Sequence, residues 1–234
     1  MRNAISNSIL GRTAAAGALL LGAAFAGQAA MACTLNNWSA NSGAVAAGDP
    51  TGPGGSIQRY AGLCGMETSG TGYVQDDNPG GIDRIVARFY VLADNSSAST
   101  VYAGYGATDG SSERFNVSVD ASGNVTLTDT QTGQSVSQGG ISGNWNSVEI
   151  DWAQGAGNGV ISLSVNGQGA VENTTLSNVG TQLQSVRLGN LNGSSGTTGF
   201  DAYESRRSTA VGRLLVSDAN NDGNVNVGDI TVMS

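Results

Sequence analysis

The sequence predicts an all-β protein built as an antiparallel sandwich, and three observations lead to this fold class. Apolar and polar residues alternate in short runs, which is the period of a half-buried strand. Residues that favour turns separate these runs, and glycine alone accounts for 36 of the 234 residues. No long run has a helical period, and the single helix that we expect is short and follows Asn226. Short strands without long helices are typical of two packed antiparallel sheets.

The first half of the predicted sandwich follows a loop-rich segment, 33–81, in which glycine and proline cluster. Beyond this segment the alternation becomes regular. In the run 113–119, large apolar residues occupy every second position, so we expect them on one buried face. Residues 121–124, Ala-Ser-Gly-Asn, predict a tight hairpin turn. The predicted strands of this half are 82–92, 101–105, 113–119 and 125–129.

Two runs in the second half have the clearest alternation. In the first of them, Val148, Ile150 and Trp152 fall on one face, which predicts that all three lie in the core. The second run repeats the pattern with three aliphatic residues. The predicted strands of this half are 147–153, 159–165, 186–188 and 200–206.

The N-terminal segment 1–32 has the composition of a signal peptide, which directs a chain out of the cytoplasm. Arg2 and Arg12 supply positive charge, residues 13–25 are rich in alanine, glycine and leucine, and 30–32 form a small-x-small cleavage pattern. An uncleaved anchor helix is the alternative. No later stretch is apolar enough to span a bilayer. We therefore predict a secreted mature chain, extracellular or periplasmic.

The chain has two cysteines, Cys33 and Cys64, and both lie early in the mature segment. In an exported protein a single pair is most simply a disulfide, and two free buried thiols are the alternative. Closing a loop of this length stabilises a fold by roughly 3 kcal/mol on the chain-entropy model. A lipid-modified Cys33 is disfavoured because Ala30 stands where a lipobox has leucine.

Charge and composition exclude several classes of site. All 10 basic residues are arginine, and removal of Arg2 and Arg12 leaves 8 against 18 acidic residues, a formal charge of −10. Such a chain offers no basic patch for nucleic acid or anionic lipid. The absence of histidine rules out catalytic triads and imidazole metal sites. The absence of lysine rules out Schiff bases and phosphate-binding lysines.

Residues 218–229 place oxygen donors at the spacing of a calcium loop, at positions 1, 3, 5, 7, 9 and 12. Gly223 falls at position 6, where such a loop turns sharply, and Val225 is an apolar anchor. Calcium prefers about six to eight oxygen ligands, so we predict that this loop binds Ca²⁺ and folds with it. An Asx-rich turn is the alternative. The predicted ligands are Asp218, Asn220, Asp222, Asn224 (through its carbonyl), Asn226 and Asp229.

The last ligand position holds Asp229, whereas a helix-loop-helix hand usually has Glu there. With Val225, this makes the segment 217–234 resemble an EF-hand-like dockerin repeat, the calcium loop-helix of cellulosomal and other secreted proteins. The resemblance implies docking onto a cohesin-like partner. A full dockerin pairs two repeats, however, and this segment has one truncated repeat. A lone loop could instead staple the end of the chain.

Two neighbouring runs, 145–152 (Trp-Asn-Ser-Val-Glu-Ile-Asp-Trp) and 159–167 (Gly-Val-Ile-Ser-Leu-Ser-Val-Asn-Gly), resemble the central hairpin of laminin-G-like, concanavalin A-like jelly rolls. The runs 73–79 and 200–207 resemble the opening and closing strands of such domains in secreted bacterial proteins. The resemblance covers residues 33–216. It implies a jelly-roll sandwich followed by the short C-terminal calcium loop-helix.

Glu149 and Asp151 are the two acids on which an enzymatic interpretation of the sequence depends. Jelly-roll glucanases of the laminarinase type carry Glu-x-Asp-x-x-Glu on one strand, and retaining hydrolysis needs two carboxyls about 5–5.5 Å apart. Here Gln154 stands in place of the third acid. The two acids also share the solvent face expected of any amphipathic strand. We therefore favour a non-catalytic module over a jelly-roll glycoside hydrolase.

Exposed aromatic rings and charged groups are the remaining candidates for binding. Trp38, Trp145 and Trp152 could stack on sugars, although Trp152 and Trp145 are better explained by packing. Tyr102 and Tyr105 have opposite parity in one strand, which predicts that one of them faces water.

Two charged pairs are further candidates. Arg206 and Arg207 interrupt an acidic surface and suit a carboxylated partner, with a solvated strand end as the alternative. Asp76 and Asp77 could hold a second calcium ion, a frequent feature of laminin-G-like domains, and a plain turn is the alternative.

The sequence thus predicts a secreted, non-catalytic, calcium-binding module that recognises carbohydrate or a cell-surface ligand. The alternative is a component of a polysaccharide-degrading system that docks through its dockerin-like repeat. A structural or adhesive surface protein is a third class. The sequence identifies no particular ligand.

Overall fold

The computed structural model describes residues 33–52, 55–62, 64–93, 98–192 and 196–214. The predicted signal peptide 1–32 and the predicted calcium loop-helix 217–234 lie outside these ranges. Throughout the described ranges the backbone forms strands, turns and loops and no helix. Accordingly, no described segment is a helix long and apolar enough to cross a membrane.

Fourteen β-strands follow one another through the described part of the chain, and every pairing between them is antiparallel. Antiparallel pairing suits this sequence because short turns can join neighbouring strands directly. The strands are β1 (Ala40–Ala47), β2 (Thr51–Gly52), β3 (Gly55–Ser56), β4 (Gly65–Asp76), β5 (Arg84–Leu92), β6 (Ser99–Tyr105), β7 (Glu113–Val119), β8 (Val125–Asp129), β9 (Ser135–Gln138), β10 (Asn146–Ala153), β11 (Ala156–Val165), β12 (Val171–Ser177), β13 (Ser185–Asn190) and β14 (Thr197–Arg206).

β2 and β3 form a small hairpin, and the other described strands form one continuous sheet. Its order is β12-β11-β10-β5-β14-β4-β13-β6-β7-β8-β9, with β1 paired along β4. β4 connects one half of the sheet, β12-β11-β10-β5-β14, with the other half, β13-β6-β7-β8-β9. Its residues 66–69 pair with β14 and its residues 72–76 pair with β13. The halves pack on each other, and β8 and β9 contact β11. The chain is therefore the all-β antiparallel jelly-roll sandwich that the sequence predicted.

The hydrophobic core lies between the two halves. Val148, Ile150 and Trp152 of β10 are fully buried, which confirms the face predicted for them. Phe115 of β7 meets Trp152 from the opposite half, with the two ring centroids 5.4 Å apart. Burial of one large apolar side chain stabilises a fold by roughly 1.5–3 kcal/mol, so these alternating runs supply much of the driving force for folding.

The strand boundaries show where the alternation failed as a guide. β7 and β8 have the predicted bounds, and the other predicted strands differ by a few residues. All of β1, β2, β3 and β4 lie in the segment predicted to be loop-rich, in which only the run 73–79 was matched to a strand, and β9 and β12 were also missed. β4 contains three glycines, and β12 is an edge strand with a single buried side chain, Leu176. Neither strand therefore has a regular apolar period.

The prediction that either Tyr102 or Tyr105 faces water is wrong, because both are buried. The pairing of β6 with β7 shifts register twice, once just before Tyr102 and once between Gly104 and Tyr105. A bulge offsets the alternation of side chains, so parity counted along the sequence no longer holds. The guanidinium of Arg187 then covers Tyr105, 5.0 Å from the centroid of its ring.

A buried carboxylate connects the β8–β9 turn to β10 and to the residue that follows β12. Asp129 has no exposed surface. Its Oδ2 accepts hydrogen bonds from Trp152 Nε1 at 2.9 Å and Asn178 Nδ2 at 2.7 Å, and its Oδ1 accepts from the backbone and hydroxyl of Thr132. Burial by itself raises the pKa of this carboxyl. The hydrogen bonds outweigh burial, so the pKa lies below its ordinary value of 3.8.

The predicted disulfide between Cys33 and Cys64 is present, with the two Cα atoms 5.5 Å apart. It attaches the first described residues to the start of β4. Trp38 is part of the same N-terminal segment and packs against the core, where its ring centroid lies 5.2 Å from that of Tyr203.

A β-bulge in β14 sets the direction of the later side chains of this strand. The register with β5 shifts between Asp201 and Glu204, and Ala202 has a φ of 47°, which an L-residue rarely adopts. Asp201 Oδ1 accepts a hydrogen bond from Ala202 N at 2.6 Å. The buried guanidinium of Arg88 donates to Ala202 O from Nε at 3.3 Å and from Nη2 at 3.1 Å. These bonds hold a conformation that costs about 1–3 kcal/mol on its own.

We expect Asp129→Asn to lower the free energy of unfolding by about 2–3 kcal/mol at pH 7. The reason is that the Nδ2 group of asparagine is itself a donor, so it cannot accept the hydrogen bonds that one carboxylate oxygen of Asp129 accepts. Since the folded pKa is lowered, the stabilisation by the carboxylate is complete above pH 3.8 and is lost as pH falls through the folded pKa. The parent should therefore lose its advantage over the variant in acid. Urea unfolding at pH 7 and pH 3 measures both effects.

Glu172→Gln is the matched control, because Glu172 is an exposed acid on the edge strand β12. We expect it to unfold like the parent at both pH values. An Asp129→Asn variant as stable as the parent at pH 7 would show that the buried carboxylate does not hold these strands together.

Candidate functional site

The six residues predicted to bind calcium lie outside the described residues, so the calcium loop stays a prediction, as does docking onto a cohesin-like partner through the same segment. Within the described ranges, no group of three or more acidic or cysteine side chains could hold a metal ion. The six predicted ligands are Asp218, Asn220, Asp222, Asn224, Asn226 and Asp229.

Asp76 and Asp77, considered as a second calcium site, take part in a turn at the end of β4. Asp76 Oδ1 accepts a hydrogen bond from Asn78 N at 2.9 Å, which is the geometry of an Asx turn. Asp77 Oδ1 accepts from Gln75 Nε2 at 2.8 Å. Both carboxylates therefore accept hydrogen bonds within a plain turn.

A cavity of about 270 Å³ opens beside this turn, between the end of β4 and the end of β14. Its lining combines polar and charged residues, namely an aspartate, an asparagine, a serine and two arginines, with two isoleucines and a proline. The lining residues are Asp76, Asn78, Pro79, Ile82, Ile85, Ser205, Arg206 and Arg207.

The two arginines of the cavity are held by the protein itself. Arg207 donates from Nη2 to Asn78 O at 2.9 Å and from Nη1 to Pro79 O at 3.0 Å, so it fixes the turn. Arg206 donates from Nε to Glu204 Oε1 at 2.8 Å and from Nη1 to Ala210 O at 2.8 Å. Both guanidiniums are therefore pre-positioned at the cavity, which limits the entropy lost when a ligand binds.

Two phenol groups near the cavity stay protonated at any physiological pH. Burial raises the pKa of Tyr203 to about 12, and the negative charge of Asp76 adds to the rise. Burial also raises the pKa of Tyr102 well above its ordinary value. Their hydroxyl oxygens lie 3.2 Å apart and share a hydrogen bond. Both phenols therefore stay neutral hydrogen-bonding groups over a wide pH range.

The acids of the glucanase-like motif are engaged in contacts on the outer face of β10. Asp151 Oδ1 accepts a hydrogen bond from Arg84 Nε at 2.9 Å, and Glu149 Oε2 accepts one from Gly212 N at 2.6 Å. Gln154, in place of the third acid, accepts from Gly180 N at 2.6 Å. Asp151 thus links β10 to β5, Glu149 holds the C-terminal segment and Gln154 holds the loop that follows β12.

The tryptophans also have structural contacts. Trp152 is buried and hydrogen-bonded to Asp129, which confirms its predicted position in the core. Trp145 donates from Nε1 to Gln58 O at 2.8 Å, which supports packing as its role. Trp38 packs against Tyr203. Trp38 also lines a cavity together with Tyr203, so a sugar-stacking role for Trp38 stays a prediction.

Sequence reasoning identified Asp76, Arg206 and Arg207 as candidates but did not bring them together. Their assembly depends on the pairing of β4, β5 and β14, which are distant in sequence. The apolar part of the lining was missed, because Ile82 and Ile85 were interpreted only as residues of the predicted strand 82–92. The signals that the sequence offered for this site were the Asn78-Pro79 turn and the adjacent arginines Arg206 and Arg207.

No protein-family model matches the chain, and no curated protein matches it. Solved structures do resemble it. The receptor-binding domain of botulinum neurotoxin type G is 13% identical, over 71% of this chain and 44% of that chain, with a TM-score of 0.46. The mouse laminin α1 chain, domains LG4-5, is 14% identical over 54% and 36%, with a TM-score of 0.42.

A sialidase from Trypanosoma rangeli is 13% identical, over 62% of this chain and 26% of that chain, with a TM-score of 0.47. The chain thus spans less than half the length of each of these structures. The fold class rests on the strand pairing of the chain itself.

Proposed function

We propose that this chain is a secreted, non-catalytic binding module that recognises carbohydrate or another cell-surface ligand, and that calcium holds its C-terminal loop. The cavity beside Asp76 carries this proposal. Small-molecule sites are concave and largely apolar, with a few fixed polar groups that orient the ligand. The aspartate, the serine and the anchored arginines provide such polar groups beside two isoleucines and a proline, and a sugar ring offers hydroxyls and an apolar face to match.

The disulfide supports an exported protein, because disulfides persist in oxidising compartments. The contacts of Glu149 and Asp151 favour a binding role over the glycoside hydrolase alternative. Both carboxylates accept hydrogen bonds from other parts of the protein, whereas the two carboxyls of a retaining hydrolase have to reach the same glycosidic bond. A binding module also needs only the fixed polar groups that the cavity provides.

We expect the mature protein to retain a subset of ligands on a glycan array, and Asp76→Asn to weaken this binding about tenfold or more. The substitution keeps an Oδ1 acceptor for Asn78 N and removes the charge that strengthens hydrogen bonds to ligand hydroxyls. Titration of the best array ligand against both proteins gives the two dissociation constants.

Asp83→Asn is the matched control, since Asp83 is an exposed acid in the same loop and does not line the cavity. It should bind like the parent. An array with no retained glycan would contradict the proposed function, and equal losses in the two variants would contradict the proposed site.

Calcium binding is tested separately. Calorimetric titration of the mature chain should show sub-millimolar binding of Ca²⁺, and the variant with Asp218→Ala and Asp222→Ala should show little. The matched control carries Asp76→Asn and Asp77→Asn and should bind like the parent, because those carboxylates already belong to a turn. Calcium binding that survives loss of Asp218 and Asp222 would contradict the loop as the site.

A further inference from the structure

A second cavity, of about 190 Å³, lies on the outer face of β5, β10 and β11. The segment 207–214, which we call the C-terminal strap, forms one of its walls through Gly212 and Arg213. Arg88, Ser147, Glu149 and Ser164 line the opposite side. At about 30 Å³ per water molecule, the space corresponds to roughly six waters, which suits one small ligand.

The strap is fixed over this cavity by hydrogen bonds at two successive points. Gly212 N donates to Glu149 Oε2 at 2.6 Å, and Arg88 Nη1 donates to Gly212 O at 3.2 Å. The hydroxyls of Tyr60 and Tyr90 both donate to Leu214 O, at 2.7 and 2.9 Å. The cavity is therefore a formed site, with its wall held by buried or partly buried groups.

Several polar groups at the cavity have capacity left for a ligand. The guanidinium of Arg213 has no hydrogen bond or ion pair with any described residue. Ser147 is only 3% exposed, and its hydroxyl likewise has no partner within the described ranges. Arg88, 5% exposed, adds the positive charge of a second guanidinium, although most of its N–H groups already donate to Ala202 O, Gly212 O and Glu204.

The charges select the chemistry of the ligand. Arginine pairs well with carboxylates through parallel hydrogen bonds, so Arg213 and Arg88 favour an anionic group. Glu149 opposes a bare anion, but its Oε1 accepts no hydrogen bond from the described residues and can accept one from a ligand hydroxyl. Ser147 adds a hydroxyl that can donate or accept, and Ser164, whose Oγ already donates to Gln168 O at 2.7 Å, adds an acceptor.

We propose that the cavity under the C-terminal strap binds a small carboxylate that also carries hydroxyl groups, with the chemistry of an acidic sugar such as a uronic acid. The carboxylate pairs with Arg213 and Arg88, and the ligand hydroxyls bond to Glu149 and Ser147. The site shares no residue with the cavity beside Asp76 and stands independently of it.

Calorimetric titration of the mature protein with D-glucuronate tests the proposal, with D-glucose, acetate and sulfate as comparison ligands. We expect glucuronate to bind at least tenfold more tightly than each of the other three, because only glucuronate offers both groups. Titration with a disaccharide that ends in glucuronate distinguishes recognition of a free sugar acid from recognition of the end of a chain.

Arg213→Gln should weaken glucuronate binding at least tenfold, and Ser147→Ala should weaken it by a smaller factor. Arg213 is exposed, so the first variant is expected to fold. Arg84→Gln is the matched control, because Arg84 lies on the same outer face and pairs with Asp151 away from the cavity. Asp76→Asn should leave glucuronate binding unchanged, which separates this site from the proposed glycan cavity.

Three results would overturn the proposal. One is the absence of glucuronate binding by the parent. Another is binding of sulfate or acetate as tight as that of glucuronate, which would indicate an unselective anion site. The third is an equal loss of affinity in Arg84→Gln and Arg213→Gln, which would place the ligand elsewhere on this face.

Discussion

The hydrogen bonds of Arg88 connect the parts of this protein that shape both cavities. Its side chain lies on the outer face of β5 and is almost completely buried. The guanidinium donates to Ala202 O in the bulge of β14 and to Gly212 O in the C-terminal strap. A buried charge is costly unless its donors are satisfied, so this arginine requires the bulge and the strap to lie where they do.

The bulge determines which way the later side chains of β14 point. After Ala202 the strand continues with Tyr203, whose hydroxyl meets that of Tyr102, and it ends at Arg206, which lines the cavity beside Asp76 together with the next residue, Arg207. Without the bulge, the alternation of a regular strand would exchange the inward and outward positions of these side chains. The strap in turn provides one wall of the second cavity. The buried Arg88 thus links both proposed binding sites, because it bonds to the bulge of β14 and to the strap.

The sequence predicts the fold class because most of the core-forming strands carry a two-residue period, as β7, β10 and β11 show most clearly. It predicts only the end of β4, through the run 73–79, because glycines interrupt the period of this strand, which connects the two halves of the sandwich. Parity also fails at Tyr105, because a bulge is set by tertiary pairing. The strap has no period at all, and its position depends on single hydrogen bonds that only the folded sheet offers.

Hydrogen exchange on an Arg88→Lys variant tests the central role of Arg88 most directly. Lysine keeps the charge but lacks the planar fork that reaches two carbonyl groups at once. We expect the Ala202 and Gly212 amides, which bond to Asp201 and Glu149, to exchange at least tenfold faster than in the parent. Amides of β7 and β8 should keep their protection. Unchanged protection at Ala202 and Gly212 would contradict the account, because the bulge and the strap would then stand without Arg88.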